Sequence, residues 1–122
     1  MFVVLGHCQY EKNGYQNRFN VGDEWHTMST YRGMSRIIDK EYVNPEKDWA
    51  KITDKFPKLR MFDRYISESL YETNIQIISK SLNLLAIDTK IVSDYPTDLK
   101  GTERLVDLCK HYGATTYLSG IV

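Results

Sequence analysis

The densest group of side chains able to do chemistry lies early in the chain, where Gln9, Lys12, Asn17 and Arg18 surround an Asn13-Gly14 pair. A lysine and an arginine so close can clamp a phosphate or carboxylate, with the two amides orienting it. Spacing alone favours a plainer account, a solvated hairpin tip. A second group opens a predicted helix: Thr102, Glu103 and Arg104 directly follow Lys100-Gly101. Free N–H groups at such a start can hold an anion, and a capped helix with an internal charge pair explains the same residues equally well. Ser119-Gly120 closes a predicted strand at the edge where open α/β sheets carry ligands, although Ser-Gly is also an ordinary turn.

The histidines His7, His26 and His111 have no spacing that marks a metal site. His111 falls in the last turn of a predicted helix, where a cation suits the helix dipole. His7 stands out slightly, because it follows the end of an apolar strand. Cys109 lies on an apolar helix face and reads as core. Cys8 has no evident base beside it, so a nucleophilic role has little to rest on. The nine tyrosines and two tryptophans (Trp25 and Trp49) fall mostly at periodic positions, which suits packing better than sugar stacking.

The elements that must position these groups can be read from pattern. Phe2 to Leu5 reads as a strand buried on both faces. The Asn13-Gly14 turn reverses the chain into a strand near Gln16 to Val21, and Val21-Gly22-Asp23-Glu24 gives another turn. Trp25 to Tyr31 reads as a third strand, and Ser35 to Val43 as an ambiguous fourth. From Asn44 the period becomes helical, with an N-cap, Pro45 at the first position and an acid in the first turn. Trp49, Ile52 and Phe56 mark that helix, and Pro57 ends it. A second starts near Lys58 with Phe62, Tyr65, Ile66 and Leu70 on one face. A third starts near Thr73 with Ile75, Ile78, Leu82 and Leu85. Lys90 to Ser93 is a short strand. Thr102 is the expected N-cap of a helix facing inward through Leu105, Leu108, Cys109 and Tyr112, and Gly113 its C-terminal cap. Thr115 to Leu118 completes a parallel strand-helix-strand unit. The expected fold is therefore a single α/β domain over residues 1–122, rich in strands and hairpins in its N-terminal third, helical in the middle, with the parallel unit at the C-terminus.

Composition bounds the function. The 122 residues are 42% hydrophobic and 26% charged, close to globular averages. Sixteen Lys plus Arg balance sixteen Asp plus Glu, so no basic excess points to nucleic acid as a partner. The N-terminus lacks the features of a signal peptide, and no run approaches the roughly 18 apolar residues of a membrane span. Two distant cysteines outside any CxxC pair suit reduced thiols. The expected location is the cytoplasm.

With these segments in place, the sequence resembles the bacterial WbqC-like family. The clearest stretch is Lys100 to Gly120, KGTERLVDLCKHYGATTYLSG, similar to the family's Thr-Glu-Arg-Leu helix start, Leu-Cys face and Gly-Ala-x-x-Tyr-Leu-Ser-Gly ending. Phe2 to Arg18, FVVLGHCQYEKNGYQNR, resembles its hydrophobic strand followed by Gln, an aromatic, Lys and an Asn-Arg pair. Asp48-Trp49 and Leu85 to Thr89 also fit. The resemblance implies a role in making surface polysaccharide such as O-antigen, and one proposed chemistry is aminoacyl or acyl transfer to an amino-sugar precursor, a transferase reaction. It implies a sugar or sugar-nucleotide ligand and names no cofactor. On this reading Gln9, Lys12, Asn17 and Arg18 contact substrate from one side. Thr102, Arg104 and Ser119 do so from the other, and Glu103 carries the proton if burial shifts its pKa.

The departures favour an alternative, a non-catalytic or degenerate member that binds a sugar nucleotide or a partner chain. The family's His-Gln-Pro segment before the first strand is absent, Gly6-His7 stands where a pair of aspartates is usual, and Asn20 replaces a second arginine. The family also continues beyond the Ser-Gly ending. A domain cut short at both ends would expose sheet edges. Self-association or pairing with a partner chain is the expected outcome, and a monodisperse monomer by light scattering contradicts it.

Overall fold

The computed structural model describes residues 1–119. Its first strand, β1 (Phe2–Val4), does not pair with the segment that follows it. It lies parallel to β4 (Ile91–Ser93), with Phe2, Val3 and Val4 opposite Ile91, Val92 and Ser93. Main-chain bonds extend the ladder at both ends, from Phe2 N–H to the Lys90 carbonyl (2.8 Å) and from Asp94 N–H to the Val4 carbonyl (3.0 Å). The predicted burial on both faces is not found: Phe2 is 47% exposed.

Strands β2 (Arg18–Val21) and β3 (Glu24–Thr27) form the N-terminal hairpin. Its two-residue turn places Gly22 at φ 58° and Asp23 at φ 66°, the left-handed geometry that matches strand twist. The predicted strand from Trp25 to Tyr31 is shorter than expected. Ser35 to Val43 forms no strand but makes isolated bridges, Gln9 to Arg36 and Thr30 to Tyr42, around a short 3-10 turn at Ile37–Asp39. Trp25, expected in the core, is 55% exposed and leans on Tyr15 with ring centroids 5.4 Å apart.

The helical middle follows its caps. Helix α1 (Pro45–Lys55) begins at Asn44, whose side chain accepts from Lys47 N–H, with Pro45 in the first turn. It buries Trp49 and Ile52. The segment expected as a second α-helix is a 3-10 stretch, Pro57–Tyr65, burying Phe62. Helix α2 (Leu70–Leu84) starts at Ser69, whose hydroxyl accepts from Glu72 N–H at 3.2 Å. It therefore begins earlier than Thr73, and its buried residues are Leu70, Tyr71 and Thr73. Ile75, Ile78 and Leu82 are half-buried, and Leu85, past the helix, is 68% exposed. Only the first half of α2 meets the core.

Helix α3 (Gly101–His111) is preceded by Lys100, so Thr102 lies inside the first turn and is not the cap. Its C-terminus is as predicted. Gly113, at φ 67°, donates to the Lys110 carbonyl, and Ala114 donates to that of Cys109 at 2.8 Å, the paired bonds of a Schellman ending. Cys109 is half-buried, not core. Thr115 to Leu118 is not a strand: Leu118 is 90% exposed and Tyr117 55%. The parallel partner of β4 comes instead from the other end of the chain. Gly120 lies outside the described residues.

The α/β class holds. Met28, Tyr42, Trp49, Ile52, Phe62 and Leu70 form the core, with Tyr10, Phe19, Phe56 and Ile77 among those packed on it. Met28 follows the hairpin and is wholly buried. Its replacement, Met28→Ala, is expected to cost about 2–5 kcal/mol in urea unfolding, through lost contacts and the cavity left.

Candidate functional site

The parallel pairing brings two strand ends together. The chain leaves β1 as Leu5-Gly6-His7 and leaves β4 as Asp94-Tyr95, so both exits lie at the carboxyl edge of the pair. Helix α2 fixes their approach. A Cβ on Gly6 would stand 2.6 Å from Cε2 of Tyr71, so only glycine lets that ring close on the end of β1. The Tyr71 hydroxyl reaches the other strand, 2.8 Å from Ser93 Oγ.

At this edge the Asp94 side chain is fully buried. Its Oδ1 accepts from Gly6 N–H (2.8 Å) and from Nδ1 of the His7 ring (2.9 Å). His7 N–H lies 3.2 Å from Oδ1 and 3.1 Å from Oδ2. The Arg104 guanidinium of α3 donates Nη2 to Oδ2 and reaches the Tyr95 carbonyl at 3.5 Å. The carboxylate thus joins β1, β4 and α3. Burial pushes its pKa up, but the His7 ring, the Gly6 and His7 amides and the Arg104 guanidinium together hold it below the usual Asp value. An ionised Asp94 fixes the proton of His7 on Nδ1 and leaves Nε2 with its lone pair. The His7 side chain is 16% exposed. Nearby, Tyr95 donates to Asp107 at 2.6 Å, which pushes the phenol up to about 12 and ties the exit of β4 to α3.

Of the residues expected to contact substrate or carry a proton, Arg104 alone enters this cluster, where it joins His7, noted in the sequence for following an apolar strand. Thr102 and Glu103 border a shallow depression of about 320 Å³ with Leu99, Val106, Asp107 and Lys110. Glu103 is exposed, so the burial its role required is missing. Gln9 is exposed and donates to the Tyr10 carbonyl at 3.4 Å. Asn17 donates to the Met28 carbonyl at 2.9 Å, bracing the hairpin. Lys12 is exposed near the turn, Arg18 is half-buried in β2 opposite Thr27, and Ser119 is exposed. Among the described residues, no hydrogen bond or ion pair joins Gln9, Lys12, Asn17 or Arg18 to Arg104. Asp94 was not anticipated. Its signal was its place, immediately after a predicted strand, as His7 closely follows another.

The comparison with known families agrees with the resemblance in the sequence. All of residues 1–122 match the WbqC-like protein family. The chain belongs to that family. An uncharacterized protein of Mycobacterium tuberculosis, Rv1507c, is 24% identical over 144 aligned residues, covering 98% of this chain. The chain spans 62% of that relative's length. No solved structure matches. In this WbqC-like chain the Gly6-His7 pair, a departure from the pattern the resemblance implied, supplies three of the donors to Asp94.

Removing the Asp94 charge leaves Arg104 buried without its partner. Asp94→Asn is expected to destabilise the fold by about 3–5 kcal/mol near neutral pH. Because the folded-state pKa is lowered, this contribution is complete above the ordinary Asp value of 3.8 and disappears as pH falls through the depressed value. Urea unfolding from pH 7 to pH 2 should show wild type and variant converging at the acid end.

Proposed function

We propose that this WbqC-like domain transfers an acyl or aminoacyl group to the amine of an amino-sugar precursor of surface polysaccharide, with His7 as general base. The observation that carries the reading is the 2.9 Å contact between His7 Nδ1 and the buried Asp94 carboxylate. A carboxylate that fixes the imidazole tautomer and steadies the imidazolium is the arrangement a proton-transfer step uses. His7 Nε2 takes the proton as the amine adds to the acyl carbonyl, then returns it to the leaving group when the tetrahedral intermediate collapses. The place of the pair, at the carboxyl ends of parallel strands, supports a ligand edge. The polysaccharide context comes from the family resemblance.

In this reading His7 takes the role first given to Glu103, and Arg104 keeps Asp94 ionised without touching substrate. Lys12 and Arg18 offer cations to the substrate's phosphates from the N-terminal segment. A second reading, ligand binding without turnover, is favoured by the number of bonds Asp94 makes to main chain: these explain the cluster as a clamp between strands.

Incubating the protein with amino-sugar nucleotides and acyl or aminoacyl donors, with mass spectrometry of the products, separates the two. Acylated sugar is the expected product, and His7→Gln should slow its formation by about 10²–10⁴-fold. Glu103→Gln should leave the rate within a few-fold. Undiminished turnover in His7→Gln removes the general-base role, and thermal stabilisation by a sugar nucleotide without product favours the clamp.

A further inference from the structure

Among the described residues, one buried cation outside the Asp94 cluster has no counter-ion. Lys40 is 5% exposed, yet its ammonium meets only the Gly33 carbonyl at 3.0 Å and the face of the Tyr10 ring, 4.6 Å from the centroid. Among the described residues no carboxylate comes within 4.0 Å of it. Two hydroxyls of the same loop region are also unsatisfied. Ser35 Oγ and the phenol of Tyr42 are buried without a hydrogen-bond partner, and Tyr42 is 1% exposed overall. Tyr10 is the common neighbour: its N–H donates to the Ser35 carbonyl at 2.9 Å, its ring covers Lys40, and its phenol adds to the effect of burial in holding the Tyr42 pKa far above normal. The loop backbone is fixed, since Lys40 accepts from Leu70 N–H and Tyr42 donates to the Glu68 carbonyl.

Buried polar groups are ordinarily paired, and a buried charge above all. Here an ammonium without a counter-ion and two unpartnered hydroxyls lie around Tyr10, and each can donate. The charge selects the sign of the ligand, because an ammonium repels a metal ion and a neutral group leaves it uncompensated. We propose that Lys40, Ser35 and Tyr42 form a binding site for a small oxyanion, a carboxylate or phosphoryl group. The bound oxygens accept from Lys40 Nζ and from both hydroxyls. The Tyr42 phenol, kept protonated, acts only as a donor.

Thermal unfolding of the intact chain tests this, with inorganic phosphate and sodium acetate titrated separately at ionic strength held constant with sodium chloride. The wild-type midpoint should rise with the logarithm of the concentration of at least one oxyanion. Whichever anion acts identifies the preferred group. Lys40→Met should abolish the response, and Tyr42→Phe, which removes only the unpartnered hydroxyl, should weaken apparent affinity at least about fivefold. If Lys40→Met does not fold, Tyr42→Phe decides alone. No response in wild type, or an equal response in a folded variant, overturns the proposal.

Discussion

The buried Asp94 carboxylate is the constraint on which the arrangement of this domain's site depends. It belongs to the end of β4 and is bonded both to the end of β1 and to α3. A two-stranded sheet of three-residue strands has little stability of its own. The carboxylate compensates by gathering two main-chain amides, a ring nitrogen and a guanidinium around one point. Desolvation opposes that gathering and the hydrogen bonds outweigh it, which is why the group stays charged although hidden from water. The same charge sets the tautomer of His7, so strand pairing and the position of the ring proton share a cause.

The hydrophobic core lies elsewhere, in the hairpin, α1, the 3-10 stretch and the start of α2. Tyr71 connects it to the site: its neighbour Leu70 belongs to the core, while its own ring lies on Gly6 and its hydroxyl on Ser93. Perturbing the packing of α2 therefore reaches the Gly6-His7 turn through the Tyr71 ring. Tyr112 provides a comparable tie from the end of α3 to the Ser93 carbonyl.

Local chemistry was legible in the sequence wherever local chemistry decides the structure. Asn44-Pro45 starts α1 and Gly113 ends α3, because caps act within one helical turn. Gly22-Asp23 turns the hairpin for the same reason. Pairing partners were not legible. Residues 115–118 have strand-like composition, but a strand needs a neighbour, and β4 found β1. Leu85 continued a helical period beyond the point where the core ends. The candidate site was half visible: Arg104 and the position of His7 drew notice, while Asp94 did not, because one aspartate after a short strand carries no spacing signal. Its meaning comes from residues 87 and 88 positions away.

That separation has a consequence for the order in which the molecule can become functional. β1 is made before the hairpin and the helical core, but its partner strand, the carboxylate and the guanidinium come after them. Contacts between such distant segments carry a large loop-closure cost and form slowly compared with helices and hairpins. The hairpin and helical core can assemble while the chain is still emerging from the ribosome. The histidine waits without its carboxylate until residues 94 and 104 are available. Maturation of the site thus follows that of the core, and a nascent chain that already possesses its core still lacks the aligned imidazole.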